Sequence, residues 1–141
     1  MMDVPKGHTR EAIKAREKLI KDFYAQWILE HPDKKVWNRN LGVFIHVKYI
    51  SINETYEKAS RSYESTMAVL RLTEILEGAV KIGERPAKRG VGNQKQFEKM
   101  ILMRFDGVKL TVGLQRSSQE YIQYCVTVPN KPNENKATTE K

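Results

Sequence analysis

The chain has 141 residues, 40% of them apolar and 30% charged, with a formal net charge of +8 and a pI near 9.6. That length and apolar content suit one soluble globular domain with a real core, and no apolar run approaches the ~18 residues of a membrane span. The N-terminus lacks the apolar stretch of a secretory leader, the single cysteine (Cys125) excludes an internal disulfide, and His8, His31 and His46 have no zinc-ligand spacing; the expectation is a cytoplasmic protein without metal or other cofactor.

Thr9 is placed to cap a helix running to about Glu30, with Ala12, Ile13, Leu19, Ile20, Phe23, Tyr24, Trp27 and Ile28 at helical spacing and only Arg16 interrupting the stripe. Such a basic amphipathic helix can bind a membrane or a partner, but more often its stripe is simply core. His31-Pro32 ends it, because the residue before proline avoids the α region. Residues 33–42 (DKKVWNRNLG) read as a loop, and residues 43–50 (VFIHVKYI), rich in β-formers, as a strand. Ser51 to Glu54 reads as a capping box that opens a short helix to about Ser60. A second helix is predicted over about 66–78, on the face of Ala68, Leu72, Ile75, Leu76 and Ala79, and an extended stretch begins at Val80. Residues 83–96 (GERPAKRGVGNQKQ) form a glycine-rich basic loop able to bring backbone N–H groups to phosphate, although neither a Walker A nor a dinucleotide fingerprint is present.

Residues 97–128 are the most informative. Asp106-Gly107 between two alternating runs signals a two-residue hairpin, which sets Phe105 against Val108, Met103 against Leu110, Ile101 against Val112 and Lys99 against Leu114. One face is then apolar, while Arg104, Lys109, Thr111 and Gln115 point to the other. On the last predicted strand, simple alternation sends Ile122, Tyr124, Val126 and Val128 to the apolar face. Tyr121, Gln123, Cys125 and Thr127 go to the polar one. From Pro129 the chain is polar and aperiodic, a predicted disordered tail (129–141) behind a single domain over 1–128. The expected fold is α+β: N-terminal helices on one face of a mostly antiparallel sheet of roughly four strands, ending in a β-meander.

Charge concentrates in one region: residues 81–116 carry nine Lys/Arg and three acids, a net of +6. A cationic element of this kind is a footprint for polyanions, RNA ahead of DNA; the plain alternative is a basic surface that only aids solubility. Arg85, Lys88, Arg89, Lys95, Lys99, Thr111 and Arg116 are the candidate phosphate contacts.

The run from Ser65 to Ile82 (STMAVLRLTEILEGAVKI), followed by the basic loop, the Asp-Gly hairpin and a tyrosine-bearing last strand, resembles the barnase/EndoU/colicin/RelE-like nuclease superfamily. The likeness is to the small forms carried in large polyvalent proteins of phages and conjugative elements, and it covers residues 43–128. It implies an open sheet face that holds RNA and metal-independent cleavage by attack of the 2′-hydroxyl. Such chemistry needs a cation at the phosphate and groups that take and give a proton. His46, Arg104, Lys109 and Tyr121 are the candidates, although a histidine within an apolar strand more commonly makes a structural hydrogen bond. No paired-histidine constellation is present, and no carboxylate falls clearly on the basic face. The expected function is a nucleic-acid-interacting domain with an RNase-like fold, cleaving or degenerate. The alternative is a non-catalytic protein–protein accessory module of a mobile element, docking or self-associating through the N-terminal helix. No membrane partner is expected.

Overall fold

The hairpin folds as its turn dictates. In the computed structural model, which describes residues 3–88 and 94–129, Asp106 and Gly107 have φ of 48° and 77°, the pair of positive values that a type I′ turn requires. Phe105 pairs with Val108, Met103 with Leu110, Ile101 with Val112 and Lys99 with Leu114, the expected register. Arg89 of the basic loop and the tail from residue 130 lie outside the described residues.

The elements run α1 (Arg10–Glu30), β1 (Lys35–Asn38), β2 (Val43–His46), α2 (Tyr49–Ala59), α3 (Tyr63–Val69), α4 (Leu72–Gly78), β3 (Val80–Pro86), β4 (Phe97–Phe105), β5 (Val108–Gln115) and β6 (Tyr121–Thr127). Among the described residues the fold is α+β with a mixed sheet of six strands, ordered β1-β2-β6-β5-β4-β3, rather than about four, and only the β2–β6 neighbours are parallel. The strand missed by sequence is β1, where just Val36 and Trp37 favour strand among lysines and asparagines. Asn38 holds this end of the hairpin. Its Oδ1 accepts from the backbone of Asn40 (3.0 Å) and Leu41 (2.7 Å), and its Nδ2 donates to the carbonyls of Leu76 (2.8 Å) and Ala79 (3.0 Å).

Two helix boundaries also differ from expectation. The strand at 43–50 stops at His46, because Ser51 is the third residue of α2 rather than its cap: its Oγ accepts from the Lys48 N–H at 2.9 Å. The helix over 66–78 is two helices. The last turn of α3 tightens to i→i−3 bonds from Leu70 and Arg71, and Arg71 leaves helical dihedrals (φ −105°, ψ 28°) before α4 starts.

The stripe of α1 packs inward. Ile20, Tyr24 and Trp27 join Val69, Leu72, Ile75 and Leu76 over the inner sheet face of Ile101, Met103, Leu110, Val112 and Val126. Arg16, fully buried within that stripe, donates from Nε to the Ser60 carbonyl (2.7 Å), from Nη1 to Pro5 (2.7 Å) and from Nη2 to Gly7 (2.9 Å). Three backbone carbonyls thus accept from one guanidinium, tying the N-terminal segment and the end of α2 to α1.

The outer sheet face has an apolar cluster of its own: Phe97, Met100, Ile122, Tyr124 and Cys125, with Ile50 and Ala87 against it. Phe97 lies directly over Gly113, where an added Cβ would meet its ring at 2.7 Å. Gly113→Ala is therefore expected to cost about 1–3 kcal/mol by overpacking, read as a lowered midpoint in denaturant unfolding. An unchanged midpoint would show that Phe97 is not seated there.

Candidate nucleic-acid interface

A cleft of about 320 Å³ opens at one end of the sheet, between Pro86, Ala87, Lys88, Lys95, Glu98 and Arg116, over Phe97. Its three cations come from three segments: the end of β3, the lead into β4, and the β5–β6 turn. The backbone sets them together. Gln94, 4% exposed, accepts the Lys88 N–H at 2.8 Å through Oε1 and donates from Nε2 to the Tyr124 hydroxyl at 3.2 Å. The Arg116 N–H donates to the Gln96 carbonyl at 3.0 Å. Glu98 is the acid of the cleft and accepts from Gln119 Nε2 at 3.2 Å. Lys88, Lys95 and Arg116 make no ion pair among the described residues.

The remaining predicted site residues are scattered. Arg85 pairs with Met100 and so shares the outer face. Arg104 and Lys109 are direct cross-strand partners, both exposed, beside a pocket of about 100 Å³ near the hairpin turn. Thr111 does not join them at the surface: it is 5% exposed, between its partners Leu102 and Cys125. Lys99 lies on the other face, where Glu84 binds it at 3.1 Å and also pairs with Lys81. Those lysines hold the Glu84 carboxyl below its ordinary pKa, and Glu84 raises that of Lys99.

Tyr121 is a correction. The β5–β6 register shifts between Thr111 and Val112, so Tyr124 has no partner on β5. This bulge inverts the alternation ahead of it. Tyr121, paired with Leu114, packs against the helix-side core, while Tyr124 and Ile122 belong to the outer cluster. Gln123 turns inward. It accepts from the Tyr24 hydroxyl at 2.8 Å and donates to Thr55 at 2.8 Å. Behind the bulge, Cys125 and Thr127 do lie on the outer face as expected, and burial pushes the Cys125 thiol up to about 11. A neutral thiol there is no nucleophile.

His46 pairs with Ile122, which pairs with Gly113. Lys109 is four residues from Gly113 along β5, ~13 Å at strand rise, and two strands from β2. The four catalytic candidates are therefore divided: His46 on the outer face at β2, Arg104 and Lys109 near the turn, and half-buried Tyr121 on the opposite face of the sheet from His46. Around His46 the acid is Glu120, its carboxylate 3.7 Å from Nδ1 and 2.5 Å from Lys48 Nζ. Lys48 holds the Glu120 carboxyl below its usual range.

A family model described as large polyvalent protein-associated domain 3 matches residues 15–121. The chain belongs to this family. No curated protein and no solved structure matches it. Within this large polyvalent protein-associated domain the match runs from the second turn of α1 to the first residue of β6, and so takes in every cation of the cleft.

Sequence reasoning missed Gln94 and the exposed aromatic residues Trp37 and Phe44, whose rings meet edge to face at 5.1 Å. The signal for the latter was two aromatics flanking Gly42 at hairpin spacing.

Burial lowers the His46 pKa from 6.5, Lys48 and Lys35 push the same way, and Glu120 opposes them. The unfolded chain then binds the proton first, so His46 stabilises the fold above pH 6.5 and its contribution is lost as pH falls below that value. Thermal melts should show stability declining from pH 6.5 downward, with a shallower decline in His46→Gln. An equal decline in the variant would assign the effect to other groups.

Proposed function

We propose that this domain binds nucleic acid, RNA ahead of DNA, through the cationic end of its outer sheet face. The observation that carries the reading is the meeting of Lys88, Lys95 and Arg116 in one cleft. Lys88 and Lys95 flank one loop and Arg116 comes from the β5–β6 turn; the backbones of Lys88 and Arg116 are tied by hydrogen bonds to Gln94 and Gln96, and no carboxylate is ion-paired to any of the three among the described residues. Three cations without an ion pair among the described residues, around one cleft, suit successive phosphates of a flexible strand. The resemblance to the barnase/EndoU/colicin/RelE-like superfamily fits the same face, since that likeness implies RNA held on the sheet.

The geometry favours binding over cleavage. A cleaving site needs base, acid and cation within reach of one phosphate, whereas His46 and Tyr121 lie on opposite faces of the sheet and the Arg104–Lys109 pair stands towards the hairpin turn. The apolar stripe of α1 packs into the domain's own core, which weighs against the accessory-module alternative.

Affinity for a single-stranded RNA should fall steeply with added salt. Lys95→Ala and Arg116→Ala should each weaken binding to all sequences alike and lower the salt slope by about 1. The RNA should remain intact in EDTA. Salt-insensitive binding, or unchanged affinity in the double variant, would refute the cleft; EDTA-resistant cleavage lost in His46→Gln would reinstate catalysis.

A further inference from the structure

Trp37 and Phe44 are partners across the β1–β2 hairpin, and Trp37 is 50% and Phe44 42% exposed. Their neighbours Val36 and Ile45 are buried in the helix-side core, so the two rings point to the outer face. Lys35 lies on that face as well, its Nζ 4.5 Å from the centre of the Phe44 ring. A cross-strand aromatic pair stabilises a short edge hairpin, but that role would be served as well by rings covered from solvent.

The sheet register connects this pair to the cleft. Ile45 pairs with Tyr121, Tyr121 with Leu114 and Leu114 with Lys99. One step along the strands, Trp37, Phe44, Glu120, Gln115 and Phe97 follow one another across β1, β2, β6, β5 and β4; Phe97 and Gln115 are partners, and the Gln115 N–H donates to the Glu120 carbonyl at 2.9 Å. Phe97 floors the cationic cleft. From β2 to β4 is three strand spacings, ~14 Å, a distance that a few nucleotides cover. Glu120 stands between, but its carboxylate is paired with Lys48 at 2.5 Å, so the path carries no unneutralised acid at that point.

We infer that the Trp37–Phe44 pair is a base-stacking platform, and that the domain selects single-stranded over double-stranded nucleic acid. This deepens the binding reading above and rests on it. A half-exposed indole suits stacking with an unpaired base, whereas bases within a duplex are already stacked and cannot reach it. The cleft holds phosphates, the platform holds a base, and the rung between them sets their separation. Charge complementarity selects a nucleic acid as the occupant: Lys35 stands at one end of this rung and Lys88, Lys95 and Arg116 at the other, against Glu98 in the cleft and Glu120, which is paired with Lys48.

The test uses tryptophan emission of the full chain, because the only other tryptophan, Trp27, is 3% exposed in the core. A ten-residue oligouridine should quench the emission, the quenching should vanish in Trp37→Phe, and a duplex of equal length should quench little and bind more weakly. Trp37→Ala should bind the oligouridine about tenfold less tightly. An oligothymidine arm separates RNA from DNA, and a stacking platform quenches with either strand. If the oligouridine binds with strong salt dependence, but without quenching and no better than the duplex, the platform is wrong and the cationic cleft stands. If no oligonucleotide binds, both fall. Should Trp37→Ala fail to fold, the wild-type quenching and the duplex comparison decide alone.

Discussion

At Tyr124 strand β6 carries one residue without a partner on β5, and that insertion decides which side chains reach which face of the sheet. Ahead of it, Gln123 enters the core and joins Tyr24 of α1 to Thr55 of α2 through two hydrogen bonds of 2.8 Å. Each is worth on the order of 1 kcal/mol net, and losing one partner would leave a buried polar group at greater cost. Tyr124 is turned outward in return, where its ring meets Phe97 edge to face at 5.8 Å and its hydroxyl accepts from Gln94. The helix layer and the loop that builds the cleft are thus fixed by adjacent residues of one strand. β2 pairs with β6 only over Ile45 and His46, and α2 packs along the remainder of β6.

The outer face is consequently not a uniform cationic surface. Its middle is apolar, with Phe97 over Gly113 and with Met100, Ile122 and Cys125 around it. Cations stand at the margins: Arg104 and Lys109 near the hairpin turn, Lys88, Lys95 and Arg116 at the opposite end, Lys35 beside the aromatic pair. Such a division suits contact with an extended polyanion at several points. It does not suit the concentration of charge, acid and base on one phosphate that cleavage would require.

Much of this was legible in the sequence where a local rule governs. Thr9 caps α1, with Oγ1 accepting from Ala12 at 3.1 Å, and Asp106-Gly107 fixes the register of β4 and β5 over Phe105 to Lys99. Both depend on residues adjacent in the chain. What could not be read depends on tertiary partners. Strict alternation placed Tyr121 outside because no residue near 124 announces a bulge; only Tyr24 and Thr55, 99 and 68 residues from Gln123, make it favourable. Arg16 looked like an interruption of the α1 stripe, and its acceptors on Pro5, Gly7 and Ser60 come from segments without a pattern of their own. β1 escaped notice for a similar reason, since Asn38 finds its acceptors on Leu76 and Ala79. The charge of residues 81–116 is divided by the fold: Lys99 is paired with Glu84, while Arg116 comes to Lys88 and Lys95 through the turn, and neither pairing is visible in the sequence.

The most direct measurement is a backbone-amide NMR titration of the full chain with a short oligouridine. Binding on the outer face should gather shifts at Trp37, Phe44, Lys88, Lys95 and Arg116 and leave the amides of α1, α3 and α4 unmoved. Perturbations confined to the helices, or none at the cleft under conditions where the oligonucleotide binds, would contradict it.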